Sequence, residues 1–335
     1  MSGNKEQKLI LGVDIGGTKI AAALATAYGE IVARGHSLTP AQAGPDAVTS
    51  SVFNTIEETM ASGKVDSSQL LGIGIAVAGI IDSDNGEVIS SPNLPGWHEM
   101  PLGSIVQQRF GIPVYLGNDA TLAALGEWHF GLKRKATNLV YITVSTGIGG
   151  GIIASGKLYT GACGAAGEIG HMIIDVNGPS CNCGSVGCWE TLASGTALAR
   201  EAAKQIAEGA KTSIAELAGG DMSKIDARIV FLAAKQGDEL AKELIARLGY
   251  YFGVGLVNLV NIFNPEIILV GGGVAKMGDL FLRPAIKVVE ERAFGTLVDV
   301  VHIKPALLGD DSGVLGAVAF VLERSGAPRL NHSES

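Results

Sequence analysis

Residues 9–38 read LILGVDIGGTKIAAALATAYGEIVARGHSL. Three apolar runs, Leu9–Asp14, Lys19–Thr26 and Glu30–Leu38, are parted by Gly16-Gly17 and by Tyr28-Gly29. Connections that short join strands only as antiparallel hairpins, so the chain is expected to open on a three-stranded meander. Outward from it, Asp46–Met60 carries apolar residues at Val48, Val52, Ile56 and Met60, a helical spacing. Leu70–Ala78 is apolar on both faces, as a strand inside a covered sheet is. Leu102–Phe110 reads as a helix, and Pro113–Leu116 as a short strand running into Gly117-Asn118-Asp119.

The pattern then restarts. Asn138–Ser145 reads as a strand, the cluster Gly147-Ile148-Gly149-Gly150-Gly151 as a turn, and Ile152–Ala154 as the return strand. Helical stretches follow at Ala197–Ala207, Ala227–Ala234 and from Asp238 onward. A strand at Glu266–Val270 meets Gly271-Gly272-Gly273, and a strand at Val298–Lys304 precedes a helix at Gly313–Glu323. Each half thus opens on strand, glycine turn and strand, and later alternates helices with strands. That is a weak internal duplication of an α/β unit. It predicts two similar α/β domains with a ligand cleft between them.

Composition agrees with an ordered globular chain: 335 residues, 47 % hydrophobic and 17 % charged. That length allows two domains, each with its own core. A net charge of −8 argues against a protein that chiefly grips nucleic acid or an anionic membrane. Forty-seven glycines are about twice the usual share of ~7 %. The start, Met1 to Lys8, is polar and without the apolar stretch of a secretory signal. The longest charge-free apolar segment, Leu248–Phe263, is shorter than the ~20 residues of a membrane span. Four cysteines make no disulfide framework for a chain this long, so a cytoplasmic location is expected.

Five constellations carry chemistry. In Asp14-Ile-Gly-Gly-Thr-Lys19, a Gly-Gly hairpin needs no function, yet Gly16 and Gly17 can turn N–H groups toward phosphate oxygens, with the Thr18 hydroxyl as a further donor. Lys19 reads equally well as a solvated strand residue, and the Walker spacing is absent. Ser145-Thr146-Gly147-Ile148-Gly149-Gly150-Gly151 repeats this chemistry in the second half. Gly271-Gly272-Gly273 follows an apolar strand and precedes a helix, where backbone can lie flat against a nucleotide. Asp119 ends a strand and opens a helix, so it reads both as an N-cap and as a carboxylate held ionised by the helix N-terminus.

The fifth is the most specific. His171 precedes Cys181-Asn-Cys183-Gly-Ser-Val-Gly-Cys188, which holds three of the four cysteines within eight positions. Three thiols and one imidazole form the ligand set of a closed tetrahedral zinc site. Gly184 and Gly187 allow the tight loop such convergence needs. The remaining Cys163 reads as a small buried residue.

With these residues in view the chain resembles the ROK (repressor, ORF, kinase) family of sugar kinases, within the hexokinase/actin-like ATPase superfamily, and is most similar to its bacterial ATP-dependent glucokinase branch. The resemblance covers Leu9 to Glu323. It rests on Asp14–Lys19, Gly117-Asn118-Asp119-Ala120, Ser145–Gly151, Glu168-Ile-Gly-His171, Cys181–Cys188 and Trp189-Glu190. It implies an α/β fold of two similar ribonuclease H-like domains around a central ligand cleft. The N-terminal domain would span 1–118, with a C-terminal helix at about 312–325 returning to it; the larger domain, 119–311, would carry the zinc loop 171–188.

The resemblance further implies ATP as donor with Mg²⁺, a structural Zn²⁺ on His171, Cys181, Cys183 and Cys188, and no nucleic-acid or membrane partner. Asp14, Gly16, Gly17, Thr18, Lys19, Thr146, Gly147, Gly149 and Gly150 would attend the phosphates, and Gly271, Gly272 and Gly273 the adenosine. Asp119 aligns with the catalytic base, and Asn118, Glu168, His171 and Glu190 with residues that bind sugar hydroxyls. Asn93 in Ser-Pro-Asn-Leu-Pro-Gly is a further expected contact. Thr121 stands where many members have asparagine, which bears on sugar preference. The implied reaction is phosphorylation of glucose at the 6-hydroxyl by a homodimer or homotetramer. Mannose, N-acetylhexosamine or fructose as acceptor and polyphosphate as donor are alternatives. A sugar-responsive repressor is disfavoured because the first phosphate strand begins at Leu9, leaving no room ahead of it for a DNA-binding domain.

Overall fold

The computed structural model describes residues 8–326. The opening meander forms as its alternation requires: β1 (Leu9–Ile15), β2 (Lys19–Ala25) and β3 (Ile31–Leu38) pair antiparallel, with Ile15 opposite Ile20 closing the first hairpin. β4 (Leu70–Val77) then pairs parallel with β1, and β8 (Val114–Asn118) parallel with β4. The resulting order is β3-β2-β1-β4-β8. One face is covered by α1 (Pro45–Gly63), which buries Val48, Val52, Ile56 and Met60. Between β4 and β8 the chain makes a small antiparallel meander, β5 (Ile80–Asp82), β6 (Glu87–Ser90) and β7 (His98–Met100), followed by α2 (Leu102–Phe110).

A second sheet repeats the first in strand order. β9 (Leu139–Val144), β10 (Ile148–Ala154), β11 (Lys157–Tyr159), β12 (Ile267–Gly271) and β13 (His302–Pro305) are ordered β11-β10-β9-β12-β13, with β9, β12 and β13 parallel. The duplication read from sequence is therefore a duplication of topology. Between β11 and β12 lie α4 (Trp189–Ala193), α5 (Gly195–Ala207), α6 (Ile214–Leu217), α7 (Ala227–Lys235) and α8 (Glu239–Phe263). By length and composition α8 is able to cross a membrane, but half of its most apolar window is buried in the protein, where Phe252 and Leu256 join one core with Trp189 and Phe281. It is a core helix. The remaining helices are α3 (Asp119–Gly126), α9 (Asp279–Arg292), α10 (Gly295–Val298) and α11 (Ser312–Arg324).

The chain gathers into two compact units: the described residues up to Thr137 with Gly151–Gly167 and those from Ala306 onward, and a second unit of Asn138–Gly150 with Glu168–Pro305. The division does not fall between 118 and 119, because α3 packs on α11. A Cβ added to Gly126 would lie 2.6 Å from the Gly316 nitrogen, and one on Gly316 would lie 2.0 Å from the Leu122 carbonyl oxygen. The same device seats α11 on its sheet: Cβ atoms at Gly12 and Gly74 would each lie 2.1 Å from a carbonyl oxygen of α11.

Two sequence readings change. Only residues 145–147 form the turn after β9; Gly149, Gly150 and Gly151 are strand residues of β10. Gly151 lies against α3, 2.5 Å separating its would-be Cβ from the Ala124 Cβ, so this glycine serves packing. Val298, expected in a strand, ends α10, and the strand begins only at His302.

Candidate active site

In the first unit, the turn between β1 and β2 is locked from both sides. The Gly16 N–H donates to the Lys19 carbonyl at 2.9 Å, and the Thr39 hydroxyl donates to the Gly16 carbonyl at 2.7 Å. Gly16 therefore closes the hairpin with its own N–H, which is not free to face a phosphate oxygen as the sequence reading expected. Asn93 lies beside the turn: a Cβ on Gly17 would be 3.2 Å from the Asn93 Cβ. Lys19 is exposed.

Asp14 ends β1 against the first turn of α11. A Cβ on Gly313 would fall 2.4 Å from its Oδ2, so the carboxylate occupies space that only glycine leaves open. Burial raises the Asp14 carboxyl to about 7, and the charge of Asp119 adds to the rise against the opposing pull of Lys19. Burial likewise raises Asp119, opposed by hydrogen bonds from the backbone N–H of Ala120 and of Asp119 itself. Two carboxyls raised by burial in one unit mark a candidate functional site.

The cap of α3 is Asn118, with Asp119 the first helical residue, which corrects the N-cap reading of Asp119. The Thr121 N–H donates to Asn118 Oδ1 at 3.0 Å, and Asn118 Nδ2 donates to the Gly79 carbonyl at 3.1 Å. Asn118 is thus held at both ends of its amide and in turn fixes where α3, and with it Asp119, begins. Thr121 is buried. At the far end of α3, in a π turn over Glu127–Gly131, Glu127 is fully buried. Its carboxylate accepts from the Leu307 and Leu308 N–H groups, each at 2.9 Å, and from the Ser312 hydroxyl at 2.7 Å. Sequence reasoning missed this anchor of the loop that leads to Gly313. Its one signal is an acidic residue within an otherwise apolar helix.

In the second unit, three of the expected elements meet. The Gly195 N–H, at the start of α5, donates to the Ser145 carbonyl at 2.7 Å, and the Val274 N–H to the Val144 carbonyl at 3.0 Å. Gly272 sits at φ +88 with no room for a side chain, its would-be Cβ 2.3 Å from the Val144 oxygen. The turn 145–147, the Gly271–Gly273 run and a helix N-terminus therefore share one place. A single short turn, Ala275–Met277, separates Gly273 from α9.

The cysteine loop folds on Gly187, at φ +69, where any Cβ would lie 1.6 Å from the Asp175 oxygen. His171, Cys181, Cys183 and Cys188 bring one ligand atom each within 4.8 Å of all the others. Cys183 Sγ and Cys188 Sγ are 3.7 Å apart, and Cys181 Sγ is 3.6 Å from His171 Nδ1. Zinc bond lengths in a tetrahedron place two sulfurs about 3.8 Å apart and sulfur and nitrogen about 3.6 Å apart, so the donors fit such an ion. Burial pushes the Cys181 and Cys188 thiols up, a cost that a bound cation reverses. Cys163 lies outside this set and is exposed, not buried.

Around the tetrad stand the two glutamates. Glu168 Oε2 is 3.9 Å from His171 Nε2, and Glu190 Oε1 is 3.7 Å from His171 Nδ1 and 3.3 Å from Cys181 Sγ. Glu190 owes its place to Trp189, fully buried and stacked on Phe252 at 5.0 Å, with its indole N–H donating to the Tyr251 carbonyl.

Two sheets of one repeated topology, glycine turns after the first strand of each and an acidic pair in the first unit define a two-domain α/β protein of the actin-like ATPase, sugar-kinase type. Residues 10–324 match the ROK family, and the chain belongs to it. It is similar to the glucokinase of Halalkalibacterium halodurans, 38 % identical over 91 % of this chain and 92 % of that one. It is similar also to the xylose repressor of Caldicellulosiruptor bescii, 35 % identical over 95 % of this chain and 79 % of that one. Among solved structures it resembles a ROK family glucokinase from Streptomyces griseus in complex with glucose and AMPPNP. That likeness has a TM-score of 0.82 at 35 % identity, over 93 % of this chain and 98 % of that one.

Proposed function

We propose that the protein is a hexose kinase that phosphorylates glucose at its 6-hydroxyl with ATP. The observation that carries this reading is the likeness, along nearly the whole chain, to a glucokinase whose structure holds glucose and an ATP analogue. Asp119 is the general base. As the 6-oxygen bonds to the γ-phosphorus and the bond to the ADP oxygen breaks, the hydroxyl proton passes to the Asp119 carboxylate. A carboxyl raised by burial suits that duty, since the rise makes its carboxylate a stronger base than an ordinary one. The protein otherwise positions reactants and stabilises charge, as phosphoryl transfer requires.

Asp14, Gly17, Thr18 and Lys19 attend the phosphates from the first unit, and Thr146, Gly147, Gly149 and Gly150 from the second. Gly271–Gly273 receive the adenosine. Mg²⁺, when bound with the triphosphate, would supply charge neutralisation, and the Asp14 carboxylate suits a hard cation that takes one or two carboxylates beside the phosphates. Asn93, Asn118, Glu168, His171 and Glu190 hydrogen-bond the sugar. A polar set of this kind, covered once a sugar sits on it, discriminates because a sugar lacking a hydroxyl leaves its partner unsatisfied. Zinc on His171, Cys181, Cys183 and Cys188 is structural: four protein ligands leave no open position. Thiols available as thiolates belong with the cytoplasm, where this reading places the enzyme.

A sugar-responsive repressor is the rival, favoured by the likeness to the xylose repressor. A coupled assay with ATP or polyphosphate across glucose, mannose, fructose and N-acetylhexosamines separates the readings. The reading expects ATP-dependent turnover, greatest on glucose. Hexose binding with no turnover on any acceptor would overturn it.

A further inference from the structure

Gly147 belongs by sequence to the donor's phosphate turn, yet its surroundings concern the acceptor. Its φ lies outside the left-handed region, so the backbone itself does not demand glycine here. The turn's hydrogen bond, from the Ser145 N–H to the Gly147 carbonyl at 2.9 Å, would survive any side chain. Only one group stands in the space a Cβ would take: the Glu190 carboxylate, with Oε2 at 2.6 Å and Cδ at 3.8 Å. What the missing side chain provides is room for that carboxylate. Glu190 has little freedom to go elsewhere and keep its place. Trp189 before it is fully buried, and its other oxygen, Oε1, faces Cys181 Sγ at 3.3 Å.

We infer that Gly147 is a positioning residue for the acceptor sugar: by lacking a side chain it sets where the Glu190 carboxylate stands, and so tunes sugar affinity from within the phosphate turn. The inference rests on the reading of Glu190 as a sugar ligand. A methyl at this position pushes Oε2 away by the better part of an ångström. Because the displaced atom is the end of a flexible side chain, the fold yields without loss of stability while the hydrogen bond to the sugar is spoiled.

The test is Gly147→Ala, with glucose and AMPPNP titrated by calorimetry and glucose and ATP KM measured in the coupled assay. Glucose affinity is expected to fall about 10–100-fold, the worth of one charge-assisted hydrogen bond. The backbone N–H through which Gly147 would face a phosphate is retained in Gly147→Ala, so AMPPNP affinity should fall far less than glucose affinity, and the melting temperature should hold because the turn is kept. Combining it with Glu190→Asp supplies the decisive readout. The shorter side chain withdraws the carboxylate, so adding Gly147→Ala to a protein that already carries Glu190→Asp should cost glucose affinity almost nothing, a strong non-additivity. Weakened AMPPNP with unchanged glucose affinity, or fully additive effects, would overturn the inference while leaving the kinase reading intact. A wild-type protein that neither binds nor phosphorylates a hexose would remove both.

Discussion

Asp14 is held where an ionised carboxylate is costly, so replacing it should stabilise the protein while ending its activity. The carboxyl stands at about 7 against an ordinary 3.8, through burial first and the Asp119 charge second. In the unfolded chain it releases its proton near pH 4; in the fold it keeps the proton until about pH 7. Between those values the folded state binds more protons, so stability is lost as pH rises through the window. About three pH units at ~1.36 kcal/mol each set a ceiling near 4 kcal/mol. The side chain is only partly buried, and solvent screening brings the expected value to about 1–2 kcal/mol. Asp14→Asn keeps the shape and cannot titrate. Urea unfolding of both proteins from pH 5 to pH 8.5, without nucleotide or added Mg²⁺, should show the variant gaining on wild type up to about pH 7 and levelling above it. Taking the difference cancels the pH dependence of the thiols. A gap that does not change with pH, or a variant less stable at pH 8, would refute the reasoning.

Asp119→Asn should bind glucose normally in calorimetry and lose about 10²–10⁴-fold in kcat, the usual weight of a general base; near-normal turnover would assign the base elsewhere. Cys183→Ala should lose the metal in elemental analysis and bind glucose far more weakly, with AMPPNP binding little changed. A metal-free variant of undiminished glucose affinity would uncouple the tetrad from the sugar. Glu127→Ala leaves the Leu307 and Leu308 N–H groups without their acceptor and the Ser312 hydroxyl with the Gly309 carbonyl alone, and should lose about 3 kcal/mol in urea unfolding. A loss below about 1 kcal/mol would mean that water takes the carboxylate's place.

Where sequence and structure agree, the signal was local. The first meander follows from alternation and two glycine turns, and the tetrad from four metal-ligating residues within eighteen positions, 171–188. Where they part, the cause lies far along the chain. Gly149–Gly151 look like a turn, but α3 needs a strand without side chains to lie against, as at Gly151 beside Ala124. The cradle of Asp14 depends on Gly313, some 300 residues on, and no spacing rule reaches that far. The meander β5–β7 has strands of three or four residues, too short for alternation to register. Cys163 is exposed because its segment, 160–167, runs as turns and bends and belongs to no strand or helix.

On the proposed reading of His171 as a sugar ligand, the orientation of its ring decides what the tetrad can do for the sugar. Nδ1 faces Cys181 Sγ at 3.6 Å, while Nε2 lies toward Glu168. A cation taken by Nδ1 leaves the proton of the neutral ring on Nε2, which then only donates. Glu168 stands toward Nε2 and Glu190 toward Nδ1, and a carboxylate only accepts. One fixed donor flanked by two acceptors is a pattern that sugar hydroxyls, each able to donate and accept, satisfy in one arrangement. Without the cation the ring can carry its proton on either nitrogen, and the pattern becomes a mixture. The tautomer with its proton on Nδ1 would face a hydroxyl oxygen with a lone pair in place of a proton. Loss of the metal should therefore weaken sugar binding even if every side chain kept its position, because the charge on Nδ1 selects the tautomer that the sugar reads.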